Sequence, residues 1–365
     1  MGSLRMAARF IALYLPQFHP VPENDEWWGP GFTEWRHVAA AKSLFPGHRQ
    51  PREPADLGYY DLRVPETRQA QADLAIQAGI ESFCYYHYWF GDRTILDRPM
   101  RDVLKSGEPQ HGFCLCWANE SWSGIWHGQP GRVLIQQNYG DRQEWDRHFY
   151  SVLPAFADPR YTKVDGQPLF VVYRPSDLPD PLAFTDRWRD LAIKEGLTGI
   201  HFVGMANHIL ADVPACFDAE ARHNLAGATF DQTTVYVRSR RLLRSLLGRP
   251  KHIYRYEAVL RGLFVDDGSN DRIYPCLIHD WDNSPRVGVN GLILTESTPD
   301  LFRDLLTRCL EEARKKRLER RIVFLKSWNE WGESNYLEPD LEFGDGYLRV
   351  IRQGAFLDKE AQDPD

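Results

Sequence analysis

Apolar, β-branched or aromatic runs recur along this chain at 9–15, 81–89, 111–117, 168–173, 200–205, 272–279 and 321–327, with a weaker run near 215–221. Short apolar runs bounded by polar residues predict buried strands. Between them lie helix-like segments at 65–79, 94–106, 142–156, 184–195, 238–247, 254–263 and 298–319. The first of these opens on Pro65 and closes at Gly79, the residue types that favour a helix start and stop. Strands alternating with helices over 365 residues predict the α/β class, as a single (β/α)8 TIM-type barrel with long loops at the C-terminal face of its strands. One catalytic domain is expected over 1–365, with its core at about 9–350. No internal repeat, low-complexity tract or linker marks a boundary. The 20–64 region, rich in Pro, Gly and Trp, is too long for a plain connection and reads as a functional loop over the barrel mouth.

Composition narrows the class. With 43% hydrophobic and 13% aromatic residues the chain has ample material for a large core. The net charge of -7 comes from interspersed signs, so no basic surface for nucleic acid is implied. The local exception is 238–251, where five arginines and helically spaced leucines suit either a peripheral membrane contact or a solvated helix face. No apolar stretch approaches the roughly 18 residues of a transmembrane helix, and the start Met1-Gly2-Ser3-Leu4-Arg5 lacks a long apolar region, so a cytoplasmic location is expected. Cys84, Cys114, Cys116, Cys216, Cys276 and Cys309 mostly lie in apolar runs without metal-site or disulfide spacing and read as reduced core residues.

The densest chemistry follows the last apolar run, in Ser327-Trp328-Asn329-Glu330-Trp331-Gly332-Glu333-Ser334-Asn335-Tyr336-Leu337-Glu338-Pro339-Asp340. Residues just past a barrel strand form the active-site face. Glycoside cleavage needs one carboxyl group to protonate the leaving oxygen and a second to act on the sugar, and Glu330 and Glu333 supply such a pair. Residues three apart on a strand face opposite ways, so the pair shares a site only if the chain bends between them; Gly332 permits that bend. Trp328, Trp331 and Tyr336 offer flat apolar faces for a sugar ring, the competing reading being that the tryptophans are core.

Other strand ends carry similar residues. The first brings Tyr14, Gln17 and His19, and the loop after it Trp28, Glu34 and Trp35; the second brings Tyr86, His87 and Trp89. The third brings Trp117, Asn119 and Glu120, the fourth reaches Tyr173-Arg174-Pro175, and the seventh brings His279, Trp281, Asp282 and Arg286. His48, His111 and His148 read as structural, whereas His19, His87 and His279 sit at strand ends beside aromatics. Glu120 suits either a third site carboxylate or an ion pair with an arginine. No histidine and carboxylate spacing matches a metal motif, and no cofactor is expected.

Taken together, Tyr14-Leu15-Pro16-Gln17-Phe18-His19-Pro20, Glu23 to Gly29, Gly31-Phe32-Thr33-Glu34-Trp35, Tyr85-Tyr86-His87-Tyr88-Trp89, Trp117-Ala118-Asn119-Glu120 and Trp328-Asn329-Glu330-Trp331 resemble the WbsX family over about 9–350. That family, labelled as glycosyltransferases, is similar to glycoside hydrolase family 99, whose barrel endo-α-mannosidases carry two glutamates at the spacing of Glu330 and Glu333. The resemblance implies that Glu330 deprotonates the sugar's own 2-hydroxyl, which attacks the anomeric carbon to give an anhydro-sugar, while Glu333 acts as general acid and then base. Gly332 stands where family 99 usually has a histidine. The resemblance also implies an oligosaccharide or polysaccharide substrate of O-antigen or capsule assembly, lipid-linked forms included.

Two other readings stand beside this one. A nucleotide-sugar glycosyltransferase finds support in Asp280-Trp281-Asp282, which has the Asp-x-Asp form of a metal-diphosphate site, and in Glu330 and Glu338 with seven residues between them. No Gly-rich phosphate loop opens a helix to accompany either feature. A noncatalytic carbohydrate-binding barrel would keep the aromatics and lose the acid, and the intact glutamate pair argues against it.

Overall fold

The computed structural model describes residues 7–91, 93–124, 129–206, 212–231, 244, 248–264 and 268–356. Among these, eight parallel strands form a closed barrel: β1 (Arg9–Tyr14), β2 (Ile80–Trp89), β3 (Gly112–Trp117), β4 (Gln167–Val172), β5 (His201–Ala206), β6 (Ala219–Arg222), β7 (Ile273–Ile278) and β8 (Ile322–Lys326). Each strand pairs with the next, and β8 pairs with β1 to complete the ring. The strands read as continuous apolar runs because most are buried on both faces, by the barrel interior on one side and the helices on the other. Phe10, Ile11 and Leu13 of β1 are wholly buried, and each such side chain contributes about 1.5–3 kcal/mol. β6 gave the weakest pattern for the converse reason: Glu220 and Arg222 alternate with Ala219 and Ala221 and pair with one another.

The outer helices are α1 (Pro65–Ala78), α2 (Arg98–Ser106), α3 (Arg142–Phe156), α4 (Pro181–Lys194), α5 (Leu225–Asp231), α6 (Tyr256–Leu263), α7 (Pro299–Ala313) and α8 (Gly346–Ala355). α1 starts on Pro65 and stops at Gly79, which takes the left-handed conformation at φ 79°. Asp141, Asp180 and Thr298 cap α3, α4 and α7 by accepting backbone N–H groups of their first turns. Two expected helix starts differ. Thr94 and Ile95 extend the sheet antiparallel to Trp89 and Tyr88, and Tyr254 and Arg255 belong to a strand, His252–Arg255, paired with Leu292–Thr295. The expected helix at 238–247 lies outside the described residues, Arg244 apart. No helix among the described residues is long and apolar enough to cross a membrane.

The 20–64 loop covers the mouth and is bound to the connections after β7 and β8. Trp35 packs on Trp331 with ring centres 5.5 Å apart, Arg52 donates to Asp280 at 2.8 Å, and Gln50 donates to Asp282 at 2.8 Å. These contacts hold the loop over the C-terminal ends of the strands, where barrel sites form. Five of the cysteines are buried, with Cys84 opposite Cys114 in the β2–β3 register.

Candidate active site

Past Lys326 the chain enters a short antiparallel pair, Asn329–Glu330 against Asn335–Tyr336, joined by a tight helical turn at Trp331–Glu333. Leaving strand geometry here brings Glu330 and Glu333 to one side. The left-handed residue of the reversal is Ser334, at φ 51°, and not Gly332, where the sequence suggested the bend. Gly332 meets a different need: a Cβ there would collide with Glu34 Oε1 and Arg286 Nε. Its bare backbone makes room for a carboxylate delivered by the 20–64 loop.

Arg286 organises this group. Its Nε donates to Glu34 Oε1 at 2.6 Å, its Nη1 to Glu333 Oε1 at 2.7 Å and its Nη2 to Glu330 Oε2 at 2.8 Å. All four side chains are buried. One guanidinium against three buried carboxylates leaves an excess of negative charge, which protonation relieves. Burial pushes the Glu330 carboxyl up to about 7, Arg286 and Lys326 opposing the rise and Glu333 and Glu34 adding to it. A carboxyl near 7 exchanges its proton readily at neutral pH, as acid–base catalysis requires.

These groups open on a cleft of about 490 Å³. Of the residues singled out from the sequence, Gln17, Trp28, Glu34, Tyr86, Glu120, Trp281, Arg286, Glu330 and Glu333 line it. Glu120 also makes the ion pair anticipated as its alternative, with Arg174 at 2.6 Å. Tyr173 and Arg174, reached by the fourth strand, line the cleft too, as do Lys326, Tyr88, Trp122, Phe32 and His37, none of which was assigned to the site from the sequence. A signal existed for two of them. Tyr88 follows Tyr86 at the period of two that keeps residues on one strand face, and Lys326 is a cation ending an otherwise apolar strand.

The same alternation turns His87 and Trp89 away from the cleft toward α3, where His87 Nε2 meets His148 Nε2 at 3.0 Å and the Trp89 indole donates to Glu144. Trp117 packs on His148 and Phe184. Tyr14 donates to Gln71 at 2.7 Å, and His19 is buried outside the cleft lining. Trp35 sits among Phe18, Tyr60 and Trp331 with its indole N–H on the Tyr60 carbonyl. Trp328, Trp331 and Tyr336, expected as sugar platforms, are core: Trp331 stacks on Tyr336 at 3.6 Å, and Trp328 is wholly buried against Phe83. The tight turn aims their rings inward, where large aromatics gain most from burial.

Two asparagines serve as clamps. Asn329 accepts from Leu15 N at 2.7 Å and donates to Leu15 O at 3.0 Å, tying the end of β8 to that of β1. Asn119 bonds the backbone of Arg174 in the same way, at 2.7 and 2.8 Å. In both Asn-Glu pairs the amide fixes the backbone and the following glutamate enters the cleft.

The acidic pairs that favoured a nucleotide-sugar site are held by protein donors. Asp280 accepts from Arg52 at 2.8 Å and from Ser297 at 2.7 Å. Asp282 accepts from Gln50 at 2.8 Å, meets His48 Nε2 at 2.7 Å and is absent from the cleft lining. Glu338 lies beneath, accepting from Trp331 Nε1 at 2.6 Å, Gln71 at 2.6 Å and Tyr60 at 2.8 Å.

Fold and cleft together define a (β/α)8 barrel with a carboxylate-lined cleft at the C-terminal ends of its strands. Residues 10–351 match the family Glycosyltransferase WbsX, and the chain belongs to that family. It is 36% identical over 350 residues to the protein WxcX, uncharacterized, of Xanthomonas campestris pv. campestris strain B100, covering 95% of this chain and 50% of that one. The chain therefore spans about half the length of the curated relatives it matches. Among solved structures it is similar to a glycoside hydrolase-like protein, with TM-score 0.59 and 15% identity over 97% of both chains. It is also similar to the GH99 endo-α-mannosidase of Bacteroides thetaiotaomicron, with TM-score 0.56 and 14% identity over 96% of both. At such identities the likeness shows the fold.

Proposed function

We propose that this barrel cleaves or transfers glycosidic bonds of a bacterial surface polysaccharide, with Glu330 and Glu333 as the catalytic pair. The observation that carries this reading is their joint presentation on Arg286 at the wall of the cleft. Glu330 takes the proton of the substrate's 2-hydroxyl, whose oxygen attacks the anomeric carbon. Glu333 protonates the departing oxygen and then deprotonates the water or sugar hydroxyl that opens the anhydro-sugar. The route differs from that of a carboxylate nucleophile but keeps the two-carboxyl division of labour. Tyr86, Trp281 and Trp28 give the sugar its apolar walls. The family's association with O-antigen and capsule assembly supports a nascent or lipid-linked glycan handled in the cytoplasm.

Wild type and Glu333→Gln are incubated with α-mannose-containing polysaccharides, and reducing ends and product sizes are followed. The variant is expected to lose about 10²–10⁴ in rate, and activity within a few-fold of wild type would defeat the assignment. The family's name makes nucleotide-sugar transfer the second reading. Its check is a melting shift with UDP-, GDP-, dTDP- or CMP-sugars and Mg²⁺ or Mn²⁺, since a ligand at a hundred times its Kd adds about 2.7 kcal/mol. A clear metal-dependent shift would transfer the site to Asp280 and Asp282.

A further inference from the structure

We infer that Lys326 contacts the substrate directly, its ammonium holding the sugar oxygen from which Glu330 removes the proton. The inference rests on the glycosidase reading above and adds a third participant to it.

Place is the first argument. Lys326 is the last residue of β8 and lines the cleft together with Glu330 and Glu333. Its neighbourhood is the second. The residue is only 4% exposed, yet it forms no ion pair among the described residues. The Nζ lies 5.6 Å from the centre of the Tyr173 ring and 5.2 Å from that of Trp281, with a long 3.5 Å contact to the Tyr173 hydroxyl. An ammonium has three N–H donors, and that single contact leaves the others for whatever occupies the cleft. The ring faces stabilise the cation without competing as acceptors.

Charge in the cleft decides what the occupant presents. Arg286 is shared among three carboxylates and Arg174 is paired with Glu120, so Lys326 is the cation turned toward the cleft without a direct counter-ion. Four lining carboxylates face the three cations Arg174, Arg286 and Lys326, which disfavours an acidic sugar and favours a neutral hydroxyl.

The chemistry uses a cation at this place. As the 2-hydroxyl proton passes to Glu330, negative charge builds on O2 until its electron pair bonds to the anomeric carbon. At the same time the bond to the leaving oxygen breaks, and that oxygen takes the proton of Glu333. A fixed positive charge beside O2 stabilises the first half of the step, and removing a donor of this kind costs about 10²–10³ in rate.

The test compares wild type, Lys326→Met, Lys326→Gln, Lys326→Arg and Glu333→Gln, each checked for folding by circular dichroism, on α-mannosyl, β-glucosyl and β-galactosyl fluorides, in which O2 lies trans to the departing fluoride, from pH 5 to 9. Fluoride departs without protonation, so Glu333→Gln should still release it. Lys326→Met and Lys326→Gln should lose about 10²-fold or more in kcat with KM within a few-fold, and Lys326→Arg should recover part of the loss. The acid limb of the profile should also move upward by about one unit or more, because a nearby cation no longer favours the ionised Glu330. Fluoride release by wild type with unchanged kcat and unchanged profile in both neutral variants would overturn the role of Lys326 and leave the glutamate pair standing. Failure of wild type on every fluoride would overturn the glycosidase reading, and this inference with it.

Discussion

Glu330 and Glu338 belong to one short segment, are both buried, and are both pushed up to about 7 from an ordinary 4.5, chiefly by burial. Their surroundings differ. Glu338 is enclosed by the Trp331 indole, the Gln71 amide and the Tyr60 hydroxyl, so its oxygens are committed to joining the 20–64 loop to the barrel end. Glu330 is held through Oε2 by Arg286 and stands at the cleft wall. A displaced carboxyl therefore does not by itself mark a catalytic group; of the two, Glu330 opens on the cleft and is the one proposed to react, while Glu338 is enclosed by protein donors.

The sharpest break in this comparison is Glu330→Gln, which should lower turnover about 10²–10⁴-fold with a melting temperature no lower than wild type, since it removes a buried charge from a crowded cluster. A variant that melts early while its folded fraction stays active would reverse the two roles. Arg286→Met should be the most destabilising single change, about 3–5 kcal/mol in urea unfolding, because it leaves three buried carboxylates without their counter-ion. A loss below about 1 kcal/mol would mean that protonation relieves the cluster unaided. Glu338→Gln should cost about 1–3 kcal/mol through misdirected buried donors and leave kcat within a few-fold.

The smallest effect lies in pH. Both carboxyls bind their protons more tightly folded than unfolded, so each favours the folded state below about 4.5 and withdraws that contribution as pH rises to about 7. The stability gap between wild type and Glu338→Gln should therefore narrow from pH 4.5 to 7.5. A gap that widens over that range would mean that the enclosed carboxyl is ionised throughout.

The barrel was legible because strands buried on both faces leave long apolar runs, as in Ile322-Val323-Phe324-Leu325, and because Pro65 and Gly79 punctuate a helix in any context. The glutamate pair was legible for a related reason: carboxylates crowded among indoles after a strand are costly to bury without a partner or a ligand. That Glu330 lines the cleft while Glu338 is enclosed beneath it was set by packing, as was the inward turn of Trp328, Trp331 and Tyr336. Residue type records what a side chain prefers, whereas its direction depends on what packs against it.

The sequence by itself thus determined the order of strands and helices, the carboxylates available at the barrel mouth and the presence of a long covering loop, all of which follow from local hydrophobic pattern and residue chemistry. Only the tertiary structure decided that Glu34 crosses from that loop over Gly332 to share Arg286, that Asp280 and Asp282 are bound by Arg52, His48 and Gln50, and that Lys326 reaches the cleft between Tyr173 and Trp281. These contacts join residues far apart in the chain, and their free energy exists only once the barrel has closed and removed them from water.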